Sequence, residues 1–472
     1  MLFSSLVFLF YFLPILIGVY FLTPKRGRNY VLLLFGFVFH AWGGTGFTVL
    51  LIASIVVNFL VAKQLGKKRP SAKKWLTAGI LFNVVLLLSF KYVAFFVENL
   101  NGMMLFFNQN ASPFGGIKIL LPLGISFFTF QQMSMLWDIY RKEETQKITF
   151  SNTALYVSFF PQLIAGPIVR YNDIIDEIKS RKETFDLFYS GIQRFMLGVF
   201  KKVVIANGCG LIIDTILKEN ISQLDSSAAW FGIIAYAFQI FFDFSGYSDM
   251  AIGLGRMFGF RILENFNFPY IAGSIQDFWR RWHISLSSWF KDYVYIPLGG
   301  NKLGNTRTYF NLFVVFLLTG FWHGATWSFV FWGLFHGFFI IIERGFLGKI
   351  LKKLPGIVGW IYTILVVLIG WVYFRVSDFS EATTYVSRMF DFRSNLNLNV
   401  YSFVKTDHLF TFSFAIILSI PWKLIVNRLF KTDIASNQIV VSLRTLLLFT
   451  GFLFSVMALM TESYNPFIYF NF

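Results

Sequence analysis

The sequence predicts an all-α integral membrane protein, and three observations carry that prediction. Of its 472 residues, 56% are hydrophobic and only 14% are charged. The mean hydropathy is +0.62, too high for a chain whose surface faces water. Apolar runs recur along the whole length between short basic or Pro/Gly-containing turns, and by length they give about ten to twelve embedded helical segments. The net charge of +17 sits in short clusters between these runs. Such clusters suit cytoplasmic flanks and anionic headgroups, so membrane lipids are the expected partner and nucleic acid is not. The one cysteine, Cys209, excludes an intrachain disulfide and a cysteine-based metal site. Residues 1–472 read as a single polytopic domain.

The first apolar run, 1–22, has no basic residue before its core and no small-residue cleavage pattern, so a retained helix is expected. A basic turn at 25–28 follows. The run 30–62 is broken at Ala41-Trp-Gly-Gly-Thr-Gly46 and flanked by basic residues at both ends, which predicts a hairpin or re-entrant pair with His40 satisfied beside the break. Residues 75–97 read as one span, with Lys91 snorkelling near its end. A polar loop is expected over 99–116. The next helix, opening at Pro122 and Gly124, carries a polar stripe of Ser126, Thr129, Gln131 and Gln132 that should face protein or a water-filled cavity.

A charged surface segment is expected over 138–147. Two prolines and a glycine within 158–171 predict irregular backbone buried inside protein. The helix over 187–216 passes through Lys201 and Lys202, which are expected at an interface. The span over 230–260 holds Asp243 and Asp249, both costly at membrane depth unless paired or hydrated. Gly253, Gly255 and Gly259 follow no strand, so close helix packing is their expected role and dinucleotide binding is not. The last spans are expected over 357–374, 409–425 and 441–460, with an external polar loop over 375–408.

Three of the five histidines, His283, His323 and His336, fall between Gln276 and Gly337. Over 277–293, helical spacing puts Phe278, Trp282, Leu286, Trp289 and Tyr293 on one face, with Arg280, Ser287 and Lys291 largely opposite. That pattern predicts an amphipathic helix lying in the membrane interface. His323 lies in a run, 310–342, whose only other titratable side chain is His336. Gly320 and Gly324 flank it, thinning one side of the helix enough to admit a substrate tail. An apolar setting favours the neutral imidazole, a base able to take a proton from a hydroxyl. A core histidine bonded to a neighbouring carbonyl explains the same residues equally well, and His283 poses the same choice. No metal-binding HExxH, Ser-centred elbow or phosphate-binding loop is present.

Five segments together resemble the membrane-bound O-acyltransferase (MBOAT) family, and its alginate O-acetyltransferase branch in particular. They are Leu121-Pro-Leu-Gly-Ile-Ser-Phe-Phe-Thr-Phe-Gln131, Phe160-Pro-Gln-Leu-Ile-Ala-Gly-Pro-Ile-Val-Arg170, Asp243-Phe-Ser-Gly-Tyr-Ser-Asp249, Phe278-Trp-Arg-Arg-Trp-His-Ile-Ser-Leu-Ser287 and Phe321-Trp-His-Gly324. The resemblance runs in order over about 30–375 and leaves 376–472 without a motif. It implies a ring of helices around a central tunnel, with His323 as the catalytic residue and His283 as the second active-site position. It implies no bound cofactor and an acyl thioester such as acetyl-CoA as co-substrate. For such a donor, the charges of Arg280 and Arg281 suit phosphate contacts or, equally, headgroup anchoring. An extracytoplasmic partner resembling SGNH hydrolases is expected to complete transfer to a polysaccharide, and the bacterial cytoplasmic membrane is the expected location. D-alanyl or fatty-acyl transfer and lipid-linked sugar transport are the competing readings.

Overall fold

The computed structural model describes residues 1–67, 70–107, 119–141, 148–164, 166–392, 398–422, 425–427, 438–461 and 464–468. Half of the loop expected over 99–116 and most of the charged segment over 138–147 lie outside the described residues; residues 99–107 are not loop but continue the helix Val93–Phe107. The described chain is helical, with no strand beyond one isolated bridge between Leu224 and Leu398. Among the described residues, seven helices are long and apolar enough to cross a membrane: Thr45–Leu65, Ala72–Lys91, Phe185–Ile216, Ser226–Met257, Trp327–Leu351, Gly356–Arg375 and Gln438–Thr461. Three shorter apolar helices, Phe8–Leu22, Val93–Phe107 and Thr406–Ser419, join them. This is a multi-pass membrane protein.

The hairpin expected around residues 41–46 is present as Arg28–Ala41 and Thr45–Leu65, and the second arm is a full-length span. Both ring nitrogens of His40 are engaged, with Thr48 Oγ1 at 2.9 Å and the Leu123 carbonyl at 3.1 Å. The span expected over 75–97 instead stops at Lys91 and restarts at Val93. Its Lys91 turns inward, not toward headgroups. The polar stripe is buried as expected: Gln132 reaches Ser54, and Asn58 donates to Gln132 and Asn83. The irregular backbone over 158–171 is present as well, with Phe159 and Arg170 extended on either side of the short helix Phe160–Leu163.

Lys201 and Lys202 are not interfacial. They lie in the middle of the continuous helix Phe185–Ile216, in a π-helical stretch, and face Ser226–Met257. Lys202 Nζ meets Asp243 Oδ1 at 2.8 Å, and Lys201 Nζ meets Asp249 Oδ2 at 2.8 Å. Arg194 reaches the other Asp249 oxygen at 2.7 Å. The two carboxylates are therefore paired, the condition under which they are tolerable at this depth. Lys202 also donates to Asn207 and to the Pro466 carbonyl, while the Ile468 N–H donates to Asp243 Oδ2 at 2.8 Å. The motif-free carboxyl-terminal region thus folds back onto the charge pair. Gly253 packs on the Gly191 carbonyl, the close helix contact its spacing predicts.

Two hydrophobic clusters divide the interior. One gathers the first half of the chain with Leu286, Trp289, Phe290 and Trp322. The other gathers Trp279, Trp282, Phe316, Trp332 and Trp371 with the upper part of Ser226–Met257. Phe266 and Val315 pack against both. The segment 276–337 therefore lies along the seam of the molecule.

Candidate active site

The run 310–342 is a tight hairpin of two helices, Asn305–His323 and Trp327–Ile342, with extended backbone at Gly324. His323 is the last residue of the first arm. The flanking glycines serve the hairpin itself and admit no tail. A Cβ on Gly320 would lie 2.5 Å from the Phe329 carbonyl oxygen, and one on Gly333 would lie 2.4 Å from that of Phe316. Gly333→Val should force the arms apart and cost about 1–3 kcal/mol. An unchanged unfolding midpoint of the solubilised protein would show that the crossing is not tight.

The segment 277–293 is not one interfacial helix. It breaks into Ile275–Arg281 and Ile284–Phe290, and its aromatic face is buried: Phe278, Trp282, Leu286 and Trp289 are all in the interior. Those aromatics find neighbours on both sides of the seam, which an interfacial helix would not offer. The break falls on His283, whose φ of +44° is left-handed. A non-glycine residue held there costs on the order of 1–3 kcal/mol, and such strain concentrates at functional sites. Asn265 maintains it, accepting through its carbonyl from Ile284 N at 2.9 Å and through Oδ1 from Ser285 N at 3.1 Å.

That second bond identifies the amide oxygen, because a backbone N–H can only donate. His283 Nδ1 lies 3.2 Å from the same oxygen and must therefore carry the proton. The lone pair is left on Nε2, which is buried without a hydrogen-bond partner among the described residues. His283 is 0% and His323 1% exposed. Trp322 stands between them, its ring 6.0 Å from that of His283 and 4.9 Å from that of His323. Trp332 and Phe374 close the far side of His323 at 4.9 and 5.0 Å. The Trp322 indole N–H is also buried without an acceptor among the described residues. An open acceptor on His283 and an open donor on Trp322 thus belong to neighbouring rings.

A cavity of about 410 Å³ runs along one face of the histidine helix, Leu312, Val315, Phe316 and Thr319, and stops one turn short of His323. Arg280, Lys291 and Arg344 line it, with Gln276 and Ser287. Arg280, Ser287 and Lys291 thus share one polar lining despite the broken helix. Arg281 is not in that lining; it pairs with Asp277 at 2.9 Å and bonds the Asn267 carbonyl. A second cavity, about 590 Å³, begins at Ala325, Thr326 and Trp327, directly beyond His323, and is bordered by Glu98 and Asp378. The site is approached by a basic cavity from one end and an acidic, aromatic one from the other.

His336 is apart from this pair, packed among Trp279, Trp332 and Phe335. No group of three or more metal-binding side chains occurs among the described residues. Sequence reasoning missed Lys91, Asn265 and Arg344. None lies in a segment with a distinctive spacing; Lys91 comes from 231 residues away, whereas Asn265 lies only 18 residues before His283 and Arg344 sits on the continuation of the second hairpin helix.

Residues 139–377 match the membrane-bound O-acyltransferase family. The chain belongs to that family. Among its relatives, the Probable alginate O-acetylase AlgI of Azotobacter vinelandii is 43% identical over 395 residues, 83% of this chain and 78% of that protein. The Peptidoglycan O-acetyltransferase of Helicobacter pylori is 37% identical over 419 residues, covering 81% and 78%. The Teichoic acid D-alanyltransferase of Streptococcus thermophilus is 32% identical over 243 residues, covering 48% of this chain and 58% of that protein. This MBOAT protein is accordingly an acyltransferase that draws on an acyl donor, and the all-α membrane fold expected from its sequence is the one it has.

Proposed function

We propose that this MBOAT protein, as one polytopic domain in the bacterial cytoplasmic membrane, passes an acetyl group from a cytosolic thioester, acetyl-CoA, through the membrane for O-acetylation of an exported or cell-wall polysaccharide. The observation that carries the reading is the pair of buried histidines at two helix breaks, set between a basic cavity and an acidic one. The similarity to alginate and peptidoglycan O-acetylating proteins over most of the chain supports acetyl as the group and a polysaccharide as its destination.

In this reading the donor's phosphates meet Arg280, Lys291 and Arg344, with the thioester directed along Thr319 toward His323. His323 takes the proton of an acceptor hydroxyl as its oxygen attacks the thioester carbonyl. The carbonyl oxygen gains negative charge, which the Trp322 N–H is available to bind. Collapse of the adduct breaks the carbon–sulfur bond, and the departing thiolate recovers the proton from His323. His283 Nε2 accepts a hydrogen bond and so orients the incoming hydroxyl. Holding both reactants in place contributes alongside the proton transfer. The acceptor approaches from the opposite cavity, where an extracytoplasmic hydrolase-like partner collects the acetyl group for the polymer.

The test is delivery of label from radioactive acetyl-CoA. Membranes holding the chain and its partner should yield alkali-labile acetyl on the polymer, and membranes lacking the chain should not. Label transferred as D-alanine or as a fatty acyl group instead would replace acetyl in the proposal. Arg280→Ala should weaken donor binding by about tenfold, the loss of one charge-assisted contact. An unaltered affinity would remove Arg280 from the donor site.

A further inference from the structure

We infer that Lys91 is a positioning residue for acyl transfer, fixing the end of the helix that carries His323 and bringing a cation to it; this rests on His323 being the base. The helix Ala72–Lys91 ends at this lysine, and Val93–Phe107 starts two residues later. The side chains of Lys91 and Tyr92 both turn at that break toward the end of Asn305–His323.

A helix leaves its last four carbonyls without intrahelical donors, and at membrane depth water is not there to satisfy them. The Gly320 carbonyl is taken by the Gly324 N–H at 3.3 Å. The Phe321 carbonyl accepts from the Tyr92 hydroxyl, and the Trp322 carbonyl accepts from Lys91 Nζ. Residues some 230 positions earlier in the chain thus cap the two peptide units immediately before His323.

A neutral donor would suffice for capping, as Tyr92 demonstrates, and a buried ammonium is the more costly choice. Two features account for the charge. The carboxyl-terminal end of a helix carries partial negative charge that favours a cation. Nζ lies 5.7 Å from the Trp322 ring centroid, over the face of the residue that separates the two histidines. A second Nζ donor goes to Ser126 Oγ at 3.3 Å, which ties the polar stripe of Ile125–Arg141 to the same point. Lys91 does not line the basic cavity, so no change in donor binding is expected from it. Its effect falls on the turnover step, where negative charge develops beside His323.

The experiment compares Lys91→Gln, Lys91→Arg, Tyr92→Phe and His323→Ala in the full-length membrane protein with acetyl-CoA. Lys91→Gln keeps a donor without the charge, and it should lower kcat by about tenfold or more at an unchanged KM for acetyl-CoA. Lys91→Arg should restore most of that loss. Tyr92→Phe should lower kcat more mildly, again at constant KM. An inactive His323→Ala beside a Lys91→Gln variant of normal kcat would overturn this inference alone. An active His323→Ala would overturn the base assignment instead. A raised KM with unchanged kcat, or equal losses in Gln and Arg, would also refute the positioning role. If Lys91→Gln yields no folded protein, Tyr92→Phe decides, and its unchanged kcat counts against the proposal.

Discussion

His323→Ala is expected to abolish acyl transfer while leaving the amount of membrane-inserted protein unchanged. Loss of the general base alone removes about 10²–10⁴-fold in rate. The remaining catalytic terms offer little residual activity, since no other titratable group of the hairpin run 310–342 lies at the helix end. The imidazole packs edge-on against Trp322, Trp332 and Phe374, so truncation also leaves a void among rings. His323→Gln fills that void with a similar volume and separates chemistry from packing. Both variants should be inactive in the labelled-acetyl assay, with the glutamine variant melting close to the parent. Turnover retained in either would end the base assignment.

The largest effect on stability is expected from Lys202→Met. Removing one partner from a buried ion pair strands the other charge, which costs about 3–5 kcal/mol. Here the stranded group is Asp243, which is also held by the Ile468 N–H, so the carboxyl-terminal segment should loosen with it. Adding Asp243→Leu removes the stranded charge and should recover much of the loss. Reversible unfolding of the detergent-solubilised protein measures both variants. A single variant as stable as the parent, or a double variant less stable than the single, would show that the pair is not what holds these helices.

The comparison of sequence with structure is instructive at particular residues. Hydropathy located the long helices within a few positions, because an apolar run of sufficient length has little alternative in a bilayer. Asp243 and Asp249 were recognisable as needing partners, yet nothing local named Lys202 and Lys201, which approach from another helix. The segment 277–293 satisfied the spacing of a surface helix, but periodicity reports one apolar side and cannot say whether lipid or protein covers the other. The left-handed backbone at His283 was equally hidden, since its cause is Asn265, eighteen residues away. Lys91 showed the same limit most clearly. A lysine at the end of an apolar run invites snorkelling, and only the fold reveals a carbonyl that needs it more. His283 and His323 stood out because their motifs resemble a known family; spacing alone left both open.

The facing lysine and aspartate pairs have an electrical consequence. Lys201 and Lys202 contribute two positive charges, and Asp243 and Asp249 contribute two negative ones. Moving one unbalanced charge through the membrane field involves about 2.3 kcal/mol per 100 mV. The four side chains sum to zero, so a cell's resting voltage exerts no net pull on this quartet. The chain's surplus of +17 must therefore reside elsewhere. For these four side chains, pairing acid with base removes the work that a membrane voltage would otherwise do on a buried charge.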